Sequence, residues 1–294
     1  MGRAGSGFVG LSPHRQGLIA VIAAAVLWST GGLFIKAISL DAAGVAMWRA
    51  PFAAVTIAAL LRPPLRGLLR LGWLAWAIAT AYALTLLLFV LGTKLTTAAN
   101  AIFLQFTAPL YLFALAPFVL GERPSRLDAL AVAVSFAGMG LFFVGRLETD
   151  EVAGNLAAAV SGMAFAAFLL LLRLPGCTPE LRPQAMVLGN LLLLAALLGY
   201  TMAFADWALF RPGPADVAGL LFLGVIQIGV PYALFSFAIA RVRAREASLV
   251  GMLEPVLNPV WVFLALGESP GGWAVLGGAI IISAVIVRTL LSER

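Results

Sequence analysis

Little in this sequence is charged, and almost nothing in it could hold a metal. Only 11% of the 294 residues are Asp, Glu, Lys or Arg. A soluble domain carries about 25%, so a soluble globular enzyme is disfavoured. A disordered chain is excluded, because disorder needs low hydrophobicity and high charge. There is one cysteine, Cys177, so no intramolecular disulfide can form; it reads as a small apolar residue. The one histidine, His14, lies in the N-terminal tail. Histidine and cysteine are too few for a zinc site, and no H-E-x-x-H motif is present. No G-x-x-x-x-G-K-[ST] phosphate loop occurs, so ATP-driven pumping by this chain is not expected. An intramembrane protease would need a Ser/His pair or two aspartates deep in the bilayer. Asp41, Asp128, Asp150, Asp206 and Asp216 all fall at or beyond the ends of apolar runs. The expectation is a non-enzyme without cofactor or metal.

What is abundant is apolar surface. Hydrophobic residues make up 62% of the chain, and the mean hydropathy is +1.04. A membrane-spanning helix needs about 20 mostly apolar residues, so ten would use about 200. The remainder suffices for short loops and two tails. Apolar runs bounded by charge, Pro or Gly predict ten spans, at 17–37, 43–61, 71–92, 98–120, 127–145, 153–173, 184–205, 215–240, 246–266 and 271–291. The first run competes with a signal peptide, but it ends at Lys36 rather than at a small-residue cleavage site, so it reads as a retained helix. The net charge is +6. Its basic residues sit in the gaps between spans, which is a topology signal rather than a nucleic-acid footprint. With the N-terminus inside, fourteen Lys/Arg fall in inner segments and four in outer loops, with Arg49 inside a span. That asymmetry predicts that both termini lie on the cytoplasmic side.

The two halves resemble each other. At an offset of 146, Phe89, Ala98, Ala101, Pro109, Leu120, Gly121, Glu122 and Pro124 meet identical residues, from Phe235 to Pro270. An offset of 137 pairs Gly17 with Gly154 and Lys36 with Arg173. Five helices per half is odd, so the second half would enter the membrane upside down. Inverted repeats of this kind belong to secondary transporters, with a site near the midplane. The expected domains are residues 1–147 and 148–294, together forming one transport unit.

The runs WSTGGLFIK at 28–36, TTAANAIFLQFTAPLY at 96–111, LGE at 120–122, LEPVLNPVW at 253–261 and LGE at 266–268 carry a family resemblance. The chain resembles the EamA-type branch of the drug/metabolite transporter superfamily from about residue 17 to 290. The resemblance implies that helices 5 and 10 sit to one side while eight surround a central cavity. It also implies export of amino acids and related metabolites, in several members by exchange for protons. One type uses a cavity rich in aromatic and histidine side chains; this sequence departs from it, because His14 is outside the spans.

Charged groups inside a bilayer are costly and are functional candidates by default. Arg49 and Glu254 are the two that lie well within spans. Glu254 precedes Pro255, which lacks an N–H and breaks the helical ladder. Burial penalises the charged form of a carboxylate, which makes Glu254 the proton-coupling candidate. Its alternatives are a structural pair with Arg49 or service to free backbone groups. Glu254, Asn258 and Trp261 fall at i, i+4 and i+7, one helical face. In the matching helix Asn100, Thr107 and Tyr111 share a face near Pro109, and Gln105 lies off it. Trp28 and Ser29 stand before Thr30 and Gly31-Gly32, and Trp28 aligns with Phe165 under the offset of 137. Tyr82, Gln227, Tyr232 and Ser236 complete the cavity candidates, and Pro231 is expected to kink helix 8. Interhelical packing and hydrogen bonding are the competing reading for each. Lys36 and Arg173 snorkel to the interface or pair with loop acids as gates. The cluster Arg241, Arg243 and Arg245 sets topology and meets anionic lipid.

The expected fold is therefore an all-α membrane protein of ten helices in two inverted repeats. The expected function is a secondary transporter exporting small polar metabolites, amino acids foremost, by alternating access. A passive channel or facilitator is the alternative. The expected partners are a small-molecule substrate and membrane lipids, with no nucleic acid, and the unit acts as a monomer.

Overall fold

A computed structural model describes residues 11–96, 98–122, 125–141, 144, 152–204, 211–266 and 272–292. The regular structure among those residues is helical, joined by short turns and loops, with no strand among them. Ser12 caps α1 (Pro13–Trp28) by accepting from the Arg15 N–H at 3.3 Å, with proline at the first helical position, where its missing N–H is harmless. A break at Ser29–Thr30 separates α1 from α2 (Gly31–Ala37). Asp41 caps α3 (Ala42–Leu61), accepting from the Gly44 N–H at 2.6 Å. Then follow α4 (Trp73–Leu95), α5 (Ala98–Gln105), α6 (Ala108–Val119), α7 (Arg126–Leu141), α8 (Val152–Leu171) and α9 (Leu181–Phe204). Next come α10 (Pro214–Leu221), a π-helical stretch (Phe222–Gly229) and α11 (Val230–Ala238). The chain ends in α12 (Ala244–Gly251), α13 (Leu253–Leu266) and α14 (Gly272–Ser292).

Seven helices among the described residues are long and apolar enough to cross a membrane: Pro13–Ala37, Ala42–Leu61, Trp73–Leu95, Asn100–Val119, Val152–Leu171, Leu181–Ala203 and Pro214–Ala238. Leu249–Asn258 and Val275–Arg288 are shorter apolar helices. Large apolar side chains such as Phe118, Trp73, Leu264 and Leu130 face outward. In water that surface would be an aggregation hazard; in lipid it is the required coat.

Several expected spans are interrupted rather than continuous. The fourth is split at Phe106–Thr107, before Pro109, and the ninth at Met252, before Pro255. A proline cannot donate to the carbonyl four residues back and its ring collides with it, so each helix tightens to i→i+3 bonds: Thr107 N to Leu104 O at 3.2 Å, Met252 N to Leu249 O at 3.0 Å. The expected kink at Pro231 is preceded by the π-helical stretch, in which the ladder widens instead. The expected fifth span, 127–145, is described as α7 up to Leu141; Gly267 and Glu268 of the second LGE lie outside the described residues.

Packing follows small residues. α4 lies along α8 and α9; α3 lies along α9 and the π-helical stretch; α1 lies along α11 and α12; α5 and α6 lie along α8. α7 packs on α14 and touches the rest only lightly. At Gly162 of α8 an added Cβ would stand 2.7 Å from the Gln105 carbonyl oxygen, so only glycine lets α8 reach the break between α5 and α6.

Candidate functional site

The centre of the helix bundle is assembled from the helix breaks. Ending α1 at Trp28 leaves carbonyls without helical donors. The Ser29 and Thr30 hydroxyls satisfy two of them locally, donating to Val26 O at 2.6 Å and Leu27 O at 2.7 Å. Others are served from across the bundle. Asn258 Nδ2 donates to Ser29 O at 2.9 Å, and Gln227 Nε2 to Trp28 O at 3.3 Å. Trp261 Nε1 donates to Ser29 Oγ at 2.6 Å. The Gly31-Gly32 pair makes room for these amides: an added Cβ would meet Gln227 Nε2 at 2.6 Å and Asn258 Nδ2 at 2.9 Å. Asn258 and Trp261 thus clamp the first helix break, and Glu254, one turn earlier on the same unbroken helix, faces a cavity.

That cavity is small, about 30 Å³, room for about one water molecule. Trp28, Phe165, Tyr232, Gln227, Gln105 and Glu254 line it, together with Thr85, Leu86, Phe89, Phe106 and Ile228. Its walls are mainly aromatic. Trp28 meets Phe165 edge to face at 6.3 Å between centroids and Tyr232 at 4.9 Å. Tyr82 packs behind, its ring 4.7 Å from that of Tyr232, and its hydroxyl accepts from Asn190 Nδ2 at 3.1 Å. Gln105 Nε2 donates to Ser161 Oγ at 2.9 Å, whose hydroxyl donates on to Thr85 O at 2.9 Å. The larger hollows lie elsewhere. One of about 440 Å³ is an apolar groove between α7 and α14, and one of about 400 Å³ is a basic recess around His14, Arg173, Arg241 and Arg243.

Two features correct the reading of the helical faces. Asn100, Thr107 and Tyr111 do not line the cavity, whereas Gln105 does. Asn100 Nδ2 donates to Thr96 Oγ1 at 3.2 Å, and the Thr107 hydroxyl turns to Leu104 O at 2.6 Å. The break between α5 and α6 shifts the helical phase, so a spacing counted through it does not define one face. Arg49, placed by sequence between a pairing role and a surface role, is 1% exposed. Its Nη2 donates to Leu86 O at 2.9 Å, and no ion pair joins it to Glu254 among the described residues. Thr85 and Gln105 carried no readable signal, because both depend on which helices meet. Ser236 is buried but lines a different recess, toward Arg62 and Arg241.

Cations tie both ends of the bundle. At one end Lys36 Nζ donates to Thr96 O at 2.8 Å and Lys94 Nζ to Ile38 O at 2.7 Å. At the other, Arg173 Nη1 donates to Ile239 O at 2.9 Å and Val242 O at 2.8 Å, while Nη2 pairs with Glu122 at 2.9 Å. His14 Nε2 lies 3.0 Å from Glu246 Oε2 beside it. These side chains reach backbone and acids rather than snorkelling freely. Pro109 and Pro255 have no cavity contact; they set the breaks.

Apolar helices fit to span a bilayer, gathered on a buried polar centre, define an integral membrane protein. The family model for EamA-like transporters matches residues 15–144 and again 152–290. The chain belongs to the EamA-like transporter family. It is 26% identical over 277 residues to an uncharacterized transporter of Archaeoglobus fulgidus, covering 93% of this chain and 96% of that one. It is 28% identical over 292 residues to a probable terminal-alkyne amino-acid exporter of Streptantibioticus cattleyicolor, covering 94% and 95%. It is 27% identical over 218 residues to the threonine/homoserine exporter RhtA of Salmonella typhimurium, covering 70% and 68%. A solved crystal structure shares the fold with a TM-score of 0.77 at 22% identity, covering 96% of this chain and 99% of that one.

Proposed function

We propose that the protein is a secondary carrier exporting small polar metabolites, amino acids foremost, by alternating access. It is built as ten spanning helices in two inverted halves, residues 1–147 and 148–294, in a bacterial inner membrane with both termini cytoplasmic. The observation that carries this reading is the symmetry of the packing around a closed polar centre. Exchanging the halves maps α1 against α11 onto α8 against α4, and α1 against α12 onto α8 against α5. It likewise maps Lys36 on Thr96 O onto Arg173 on Val242 O, at the two sequence offsets, 137 and 146. A cavity of about 30 Å³ tied at both ends admits a metabolite only if the halves rock apart, which supports a carrier over an open pore. The family membership and the amino-acid exporters among the relatives support the direction and the substrate class.

The test is counterflow in proteoliposomes loaded with pooled unlabelled amino acids, following uptake of labelled members. Saturable, trans-stimulated uptake is expected; linear, unsaturable flux would establish a channel instead. In this reading Glu254 binds a proton or the substrate ammonium. The titratable group within electrostatic reach of it is Tyr232 on α11, which Tyr82 on α4 and Arg49 on α3 reach in turn. Glu254→Gln should fold and lose the pH dependence of transport. An unchanged pH profile would remove Glu254 from coupling.

A further inference from the structure

Two hollows set apart from the central cavity meet at a single side chain. The apolar groove of about 440 Å³ is lined by Leu127, Leu130 and Val134 on α7 and by Ile280, Ala284 and Val287 on α14. The basic recess of about 400 Å³ is lined by His14, Arg173, Arg241, Arg243 and Glu246. Arg288, near the end of α14, lines both. The groove has a local cause. α7 and α14 come into backbone contact at Gly138, where an added Cβ would stand 2.9 Å from Gly277 O. Beyond that contact Ala131, Ala279 and Ala284 are too short to fill the space between the larger side chains. The groove follows α7 from Leu127 to Val134, about 10 Å at about 1.5 Å per residue. That is much of the depth of one leaflet's hydrocarbon, about 15 Å. The charges of the recess do not cancel. Arg173 pairs with Glu122 at 2.9 Å, Arg288 Nε with Asp128 Oδ1 at 2.5 Å, and His14 lies 3.0 Å from Glu246. Arg241 and Arg243 meet no carboxylate among the described residues. Arg241 stacks 3.5 Å above the centre of the Phe237 ring and donates to Phe237 O at 2.7 Å. Arg288 is 7% exposed, and beyond Nε its guanidinium bonds no described residue.

We infer that groove and recess together form a site for one anionic diacyl phospholipid. Its phosphate is held among Arg241, Arg243 and Arg288, and one acyl chain lies in the groove of α7 and α14. Charge complementarity selects this occupant. A purely apolar molecule would fill the groove and leave the cations of the recess unmet; a free anion would do the reverse. Copies of this chain in one membrane share an orientation, so a second copy on the groove would add like charge beside the recess. Guanidinium groups suit a phosphate, which their planar fork meets with two parallel bonds. Basic pockets between spanning helices at the cytoplasmic face bind anionic headgroups, and the Lys/Arg asymmetry predicts that face here. The position also has a structural consequence. Arg288 belongs to the outlying pair, α7 and α14, which touches the rest only lightly. His14 precedes the long run of α1, and Arg241 and Arg243 follow α11, within the main bundle. One phosphate shared between Arg288 and these arginines ties the outlying pair to the bundle. The inference holds whatever solute the protein carries.

The test is native mass spectrometry of the whole protein, released from mild detergent after incubation with defined lipids. The probes share their acyl chains and differ in the head: phosphatidylglycerol, phosphatidylethanolamine and diacylglycerol. Inorganic phosphate supplies an anion without a chain. Wild-type protein should retain one phosphatidylglycerol in preference to the other two, and inorganic phosphate should not displace it. Each basic residue near the membrane surface is worth about a fivefold factor toward anionic lipid. Arg241→Gln combined with Arg243→Gln should therefore weaken phosphatidylglycerol about twentyfold and leave phosphatidylethanolamine unaffected. Both arginines are exposed, so the variant should fold. The same pair of changes at Arg66 and Arg70, exposed and outside the recess, should alter nothing. Ala284→Phe fills the groove and should weaken all three lipids alike; should it fail to fold, the arginine variants still decide. Equal retention of phosphatidylglycerol and phosphatidylethanolamine, or retention of neither, overturns the inference. So does an equal loss in the Arg66 and Arg70 variant, which would reduce the effect to general surface charge. Displacement of phosphatidylglycerol by inorganic phosphate at equal concentration would make the recess a plain anion site and overturn the lipid assignment. A lipid-free dimer that Ala284→Phe dissociates would make the groove an interface between copies, and that too overturns it.

Discussion

Ser29 and Trp261 form the contact by which the break in the first helix is held from the other half of the chain. Trp261 Nε1 donates to Ser29 Oγ at 2.6 Å, and Ser29 is 1% exposed. Trp261→Phe keeps an aromatic ring and removes the donor. Ser29→Ala removes the acceptor, together with the local bond to Val26 O. Neither single variant isolates the interhelical bond, but the double-mutant cycle does, because the Val26 bond is lost with Ser29 in either background. Hydrogen bonds between membrane helices couple by about 0.6 kcal/mol on average and at most about 1.7. This one is short and its acceptor sits at a helix break without a neighbouring donor of its own, so a value above that average applies, about 1 kcal/mol. That is a factor of about five in the unfolding equilibrium. The assay is SDS titration of the purified protein in mixed micelles, on wild type, both singles and the double. A coupling energy indistinguishable from zero would refute the claim that the clamp holds the break. Asn258→Ala should cost more than Trp261→Phe, since it leaves the Ser29 backbone carbonyl unserved rather than a rotatable hydroxyl.

Gly162→Ala should destabilise by about 1–3 kcal/mol, the usual cost of overpacking, because the new methyl meets backbone oxygens of Gln105 and Leu104 that cannot swing away; an unshifted SDS midpoint would show that α8 can retreat. Arg173→Gln removes the cation from the Ile239 and Val242 carbonyls and from Glu122; labelling of a cysteine placed at Val242 should accelerate, and an unchanged rate would free Arg173 of any closing role. Cys177, the single thiol, is buried, and burial pushes its pKa up while Arg182 works against that shift. Less thiolate is present at neutral pH than for a free cysteine, so maleimide labelling of the folded protein should be slow, rise with pH and jump on unfolding. Fast labelling at neutral pH would contradict its burial.

Composition alone settled that the chain lives in lipid, because 62% hydrophobic residues with 11% charge cannot be folded into a soluble surface. Periodic apolar runs located the helices to within a few residues, and Pro109 and Pro255 marked where two of them break, because a missing N–H is a local fact. The pairing of Lys36 with Arg173 was also legible, since a repeat offset needs no coordinates. Glu254, Trp28 and Phe165 could be singled out as chemistry out of place in a membrane or as mates across a repeat. What they touch could not. The stripe of Asn100, Thr107 and Tyr111 lies outside the lining of this cavity, because face-counting assumes an unbroken helix and the break at Phe106–Thr107 resets the phase. Asn258 and Trp261 looked like solute ligands, yet their bonds go to Ser29, a residue more than two hundred positions away in sequence. Gln105 lines the cavity where α8 comes close at Gly162, and Thr85 joins it there through the Ser161 hydroxyl that bonds both. The local chain fixes where a helix starts, stops and breaks. Which freed carbonyl meets which amide, and which charge is left without a partner, is decided when helices from distant parts of the chain pack.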